Sequence, residues 1–87
     1  MSAADTPYVP VACEFHDVIE GLAATRRVAQ LAWRDEHDRR QTVTGRVTDV
    51  YARQGAEYLS METGEVVRLD RLIEADGIAA DRFAPDV

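Results

Sequence analysis

The sequence predicts a mostly β, α+β domain: one N-terminal helix, then about five short antiparallel strands forming a small sandwich or barrel. Three observations lead there. An apolar stripe at helical spacing runs through residues 14–24, alternation of period two replaces it from residue 28 onward, and turn residues recur about every 8–12 positions. At 87 residues the chain has room for one domain with a thin core, because a domain this small buries only about 60–65% of its unfolded surface.

The helix is expected over Glu14–Ala24. Phe15, Val18, Ile19, Leu22 and Ala23 fall on one continuous face, while Glu14, Asp17, Glu20 and Gly21 take the other. Before it, Tyr8-Val9-Pro10-Val11 reads as extended chain, since proline removes a donor and biases its predecessor away from helix. Residues 1–7 are small and polar, and a flexible N-terminus is expected.

Residues 28–34 alternate, with Ala29, Leu31 and Trp33 on one face. A charged turn, 35–40, leads to a strand over Thr42–Tyr51 with Val43, Gly45 and Val47 inward. Its alternation slips between Val47 and Val50, which predicts a bulge, and Gly45 permits sharp coiling. The next turn is 53–56. A strand over Glu57–Glu62 then places Leu59 and Met61 inward, Thr63-Gly64 turns the chain, and residues 65–69 place Val67 and Leu69 inward. Leu72 and Ile73 begin a short last strand. Closure into a barrel removes exposed edges, needs a strongly bent second strand, and leaves an open end for the helix to cap. The domain proper is therefore expected over 8–75, with 76–87 a loosely ordered tail.

Charge is distributed unevenly. The net value is -6, every basic residue is an arginine, and the first is Arg26. Residues 1–25 carry Asp5, Glu14, Asp17 and Glu20 without a cation, while the remainder nearly balances at twelve acids against ten arginines. Such a segment repels nucleic-acid phosphates and favours a basic partner, although solubility alone also rewards net negative charge. No apolar run approaches the roughly 18–20 residues that span a bilayer, and the N-terminus has neither the charged nor the apolar region of a secretion signal. A soluble cytoplasmic protein is expected, with no membrane association.

Catalytic and metal signatures are not expected features of this chain. It carries no G-x-S-x-G, P-loop or G-x-G-x-x-G. Cys13 is the one cysteine, with only His16 and His37 besides, so no disulfide framework and no zinc spacing arises. Cys13 and His16 sit three apart, but a thiol–imidazole pair alone is weak grounds for a nucleophile. Neither an enzyme nor a cofactor is expected. The acidic helix face remains. Glu14, Asp17 and Glu20 recur at intervals of three and sit as solvent-side neighbours. Carboxylates in the first turns also favour the helix dipole, by about 0.3–1 kcal/mol each. That accounts for Glu14 and Asp17, and less well for Glu20 near mid-helix.

The order of residues adds a resemblance. Tyr8-x-Pro10-x-x-Cys13-x-x-x-Asp17-x-x-Glu20, then Asp49, Glu57-Tyr58-Leu59, Gly64-Glu65 and Arg68-Leu69-Asp70 resemble, in the same order, the motifs of the Rof (YaeO) family of Rho-binding antiterminators. The match covers roughly residues 8–74. The resemblance implies a helix followed by an Sm-like β-barrel and a protein that inhibits Rho, the hexameric RNA-dependent helicase that ends transcription, by occupying the primary RNA-binding site of its N-terminal domain. It further implies that Asp17 and Glu20 stand in for RNA phosphates, that Glu14 and His16 flank them, that Cys13 starts the contact helix, and that Arg53 and Gln54 approach Rho from a neighbouring turn. Two departures are visible: His16 stands where a tyrosine is usual, and the 35–41 turn is longer than in typical members.

The expected function is thus a monomeric antiterminator that binds Rho and no nucleic acid directly. Its rivals are an RNA-binding Sm-like protein of the Hfq type and an acidic adaptor for another basic protein. The first needs a basic patch, because counterion release dominates RNA affinity, and the arginines here are scattered among acids along the chain.

Overall fold

The computed structural model describes residues 7–83; the expectation of a flexible N-terminus falls, Pro7 apart, outside the described residues, as does the tail beyond residue 83. Helix α1 spans Cys13–Thr25. Phe15, Ile19 and Leu22 are buried, with Val18 and Ala23 packed at the margin, so the stripe lies where its periodicity places it. Ala12 at the N-cap offers no side-chain acceptor, and Glu14 in the first turn favours the dipole instead. Arg26 ends the helix in the left-handed region at φ 54°, donating its N–H to the Leu22 carbonyl at 2.9 Å. This is an αL cap with arginine where glycine is usual.

Seven strands follow: β1 (Ala29–Arg34), β2 (Arg40–Gly45), β3 (Val47–Arg53), β4 (Ala56–Met61), β5 (Val66–Arg68), β6 (Leu72–Ala75) and β7 (Ile78–Ala79). They form two antiparallel sheets, ordered β2-β1-β6-β7 and β3-β4-β5. The expected long second strand is present but split at Arg46, so that its first half belongs to one sheet and its second half to the other. Gly45 lies outside the left-handed region, and a Cβ there would meet Met61 Cε at an ordinary 3.5 Å; the bend does not depend on glycine. The expected bulge is found, as a register shift between Val47 and Asp49.

The chain does not close into a barrel. β5 is three residues long and bonds to β4, and a single 3-10 turn over Leu69–Arg71 carries the chain across to β6, which pairs with β1 instead. Leu69 is fully buried in that turn, and its burial takes the backbone out of the sheet just where closure would need another ladder. The two sheets are therefore joined by covalent corners at Arg46 and at Leu69–Arg71, around a core that includes Phe15, Ile19, Leu22, Leu31, Val47, Leu59 and Leu69. α1 lies against β3.

The tail expectation is also corrected for residues 76–83. Asp76 and Gly77 both have positive φ, 54° and 79°, and connect the Ala75–Ile78 pair as a two-residue hairpin. β7 leads into a 3-10 turn over Ala80–Arg82, and Ala80 and Phe83 pack against the core, the Phe83 ring 6.4 Å from that of Phe15. Phe83→Ala is expected to lower the unfolding free energy by about 2 kcal/mol, roughly half the loss at a fully buried phenylalanine, because Phe83 is only half-buried. Urea denaturation of the two proteins measures it; identical midpoints would mean that this segment adds nothing to the core.

Candidate functional site

The acidic face is exposed as the sequence suggests. Cys13, Glu14, Asp17, Glu20 and Gly21 all face solvent on α1, and nothing lies within 4 Å of a Cβ built at Gly21. Glu14 and Asp17 have no ion-pair partner among the described residues. Of the nearby arginines, Arg27 is bound to Asp76, and Arg26 gives its backbone N–H to the helix cap. Asp49 on β3 joins Glu20, Ala23 and Ala24 around a shallow depression. The bent strand thus adds a fourth exposed carboxylate beside the helix, which linear spacing does not reveal.

Glu20 differs from its neighbours. His16 is half-buried and lies between two carboxylates, its Nδ1 2.6 Å from Glu20 Oε1 and its Nε2 2.6 Å from Glu57 Oε2 on β4. Burial, the largest single influence, disfavours the imidazolium, but the hydrogen bond and charge of Glu57, with those of Glu20, outweigh it and raise the pKa above 6.5. The clasp extends inward. The Tyr8 hydroxyl donates to Glu57 Oε1 at 3.3 Å, and burial, with the charge of Glu57 next, pushes its phenol up to about 12. Arg68 lies 5.7 Å over the Tyr8 ring and binds Asp70 through Nε at 2.6 Å and Nη2 at 2.8 Å. Asp70 in turn accepts the Val9 N–H at 3.0 Å. Tyr8, Glu57, Arg68 and Asp70 thereby fasten the chain ahead of α1 to the sheet, a role that their spacing in sequence gives no means of finding.

Arg53 and Gln54 sit exposed at the tip of the β3–β4 hairpin, where Gln54 and Gly55 take φ values of 52° and 81° as the central residues of a two-residue turn. Glu57 pairs with Ala52 just below that tip, so the His16–Glu57 bond holds the hairpin alongside the first half of α1.

His16, Asp17 and Glu20 also bring one donor atom each within 4.8 Å of one another. Each ring nitrogen faces a carboxylate oxygen, so in its protonated form His16 has no lone pair to offer a cation. A larger cleft of about 300 Å³ lies on the seam between the sheets, lined by Trp33, Tyr58, Val66, Arg34, Arg68 and Arg71 among others. Its arginines are already engaged: Arg68 with Asp70, Arg71 with the carbonyls of Arg34 and Asp35, and Arg34 with Asp38. The long 35–41 turn is ordered by Asp35, whose carboxylate accepts the N–H groups of His37 and Arg39 at 2.8 and 2.9 Å and Gln41 Nε2 at 2.8 Å. Among the described residues no helix is long and apolar enough to cross a membrane.

Compared with known protein families, curated proteins and solved structures, the chain matches none of them.

The raised pKa of His16 makes stability depend on pH with a definite sign. The folded state holds the imidazole proton more tightly than the unfolded chain does, so this contribution is complete below pH 6.5, the ordinary histidine value, and is lost as pH rises through the folded value. The urea midpoint is expected to fall across that window, and the fall to be smaller in His16→Gln. Parallel pH profiles for the two proteins would remove His16 as its source.

Proposed function

We propose that this chain binds the transcription terminator Rho and inhibits Rho-dependent termination, with the acidic face of α1 occupying the primary RNA-binding site of the Rho N-terminal domain. The observation that carries the proposal is the state of that face: among the described residues Glu14 and Asp17 are exposed and without an ion-pair partner, while six of the ten arginines pair there with carboxylates elsewhere. A ridge of fixed carboxylates on a rigid helix offers basic groups what an RNA backbone offers them, and it steers association with a basic cleft. The Rof-like order of motifs supports the choice of Rho over other basic proteins. The bent strand shared between two sheets, with a 3-10 turn ahead of β6, supports an open, Sm-like arrangement.

In this reading Asp17 and Glu20 make the central contacts. Cys13, Glu14 and His16 flank them, and Arg53 and Gln54 meet the rim of the partner from the hairpin. The protein acts without a cofactor, as a monomer when free, in the cytoplasm where Rho works. Direct RNA binding is disfavoured because the helix face is anionic and the arginines around the inter-sheet cleft are paired internally.

Competition is the test. Purified Rho bound to pyrimidine-rich RNA is expected to release it as the chain is added. Asp17→Arg is expected to weaken binding by about 2 kcal/mol or more, about 30-fold, as truncating one partner of an interfacial charge pair does. Circular dichroism should leave the fold unchanged, since Asp17 is exposed. Affinity is expected to fall with added salt. Tight, salt-sensitive retention of single-stranded RNA by the chain alone would transfer the reading to an RNA-binding protein.

A further inference from the structure

We propose that His16 is a proton-operated clasp that decides whether Glu20 presents its charge to the partner, so that affinity for a basic protein surface rises as the pH passes upward through the His16 titration. This deepens the proposed function and rests on it. The argument begins with valence. A neutral imidazole carries one N–H, and His16 has a carboxylate oxygen 2.6 Å from each nitrogen, so both bonds exist together only in the imidazolium. When the proton leaves, one nitrogen turns a lone pair toward a carboxylate, and that carboxylate must move away.

Which one moves is set by what else holds it. Glu57 lies on a strand paired across the hairpin, accepts the Tyr8 hydroxyl as well, and is the less exposed of the two, at 35% against 57% for Glu20. Glu20 has no other partner among the described residues and can turn straight into water. The neutral ring therefore keeps its proton on Nε2 for Glu57 and releases Glu20.

The charged surroundings make that release consequential. On α1 itself, Glu14 and Asp17 lie on the same exposed face. On β3, which packs against α1, Asp49 borders the depression it shares with Glu20, and Arg53 stands at the hairpin tip. On β4 there is Glu57. From the chain ahead of α1 comes Tyr8, whose phenol stays neutral to about pH 12, backed by the internally paired Arg68 and Asp70. Among the described residues no arginine is paired with Glu20. Below the His16 titration, one imidazolium charge is shared between Glu20 and Glu57. Above it, the partner-facing surface gains one uncompensated negative charge and a carboxylate free to bond outward.

The measurement is the affinity of the full chain for purified Rho at about pH 6 and about pH 8.5, for the parent, His16→Gln and Glu20→Gln. The parent is expected to bind about three- to tenfold more tightly at the higher pH, as one exposed charge contact allows. Both variants are expected to lose that step, and because Glu20 is exposed its variant is informative even if His16→Gln folds poorly. Titrating groups on Rho affect all three proteins alike, so the difference between parent and variants is the readout. An equal pH step in all three overturns the clasp and leaves the binding reading standing. Absence of parent binding at both pH values overturns the binding reading, and the clasp is then decided by nuclear magnetic resonance of the free chain. There, the Glu20 carboxyl carbon is expected to shift with the same midpoint as the His16 ring; a Glu20 signal indifferent to that midpoint overturns it.

Discussion

Where α1 meets the sheet, Glu57 accepts a hydrogen bond from His16 on one carboxylate oxygen and from Tyr8 on the other. That half-buried acid joins the hairpin that carries Arg53 and Gln54 to two segments far from it in sequence, the extended chain before the helix and the helix itself. An apolar face explains why α1 packs on β3. It constrains the orientation of the polar side of the helix less, since the hydrophobic burial of Phe15, Ile19 and Leu22 is a non-directional force that leaves that side some freedom. A directional, charge-assisted bond from His16 removes that freedom. Tyr8, Arg68 and Asp70 continue the constraint to the Val9 backbone. The placement of the acidic ridge therefore depends on a partly buried network that fastens the helix to the sheet.

The helix and most strands were legible because each rests on a local period. The stripe from Phe15 to Ala23 has no competing strand reading, and Leu59, Met61 and Val67 alternate cleanly into the core. Closure was not legible, since it depends on whether Leu69 continues a strand or turns into the interior, and an apolar residue satisfies both patterns. The last hairpin was missed for a different reason. Asp76-Gly77 is a strong two-residue turn signal, but the β-strand beyond it is only Ile78–Ala79, too short to register as alternation. Phe83 is held by a contact with Phe15 that no local pattern reports. At the candidate site the exposure of Glu14, Asp17 and Glu20 followed from helical geometry, whereas the pairing of Glu20 with His16, and of His16 with Glu57 forty-one positions away, arises only once the sheet exists.

Folding also separates charge in a way composition conceals. Arginine follows acid throughout residues 26–82, and the fold turns much of that mixture into pairs: Arg27 with Asp76, Arg40 with Glu74, Arg46 with Glu62, Arg68 with Asp70, Arg71 with Asp38. These lie around the sheets. On the helix face there are no arginines to pair with, because the first one in the chain arrives only at the αL cap, Arg26. Most of the exposed pairs add little stability singly, but together they neutralise the sheet surface and leave the excess of negative charge on and beside α1.

Solubility alone does not account for that arrangement. A net charge of -6 keeps a small protein dispersed wherever its acids sit, and spreading them would lessen repulsion among neighbours. Here Glu14, Asp17 and Glu20 succeed one another at intervals of three on one ridge, Asp49 adds to them across the β3 boundary, and like charges at such spacing on a helix cost a few tenths of a kcal/mol per pair. The helix dipole offsets part of this for Glu14 in the first turn and little for Glu20, five residues from the C-terminal end. The cation beside Glu20 is His16, and a histidine can give up its charge where an arginine would neutralise the site permanently. An acidic ridge whose last member lies beside a removable charge is consistent with the proposal that this surface meets cations from outside the chain.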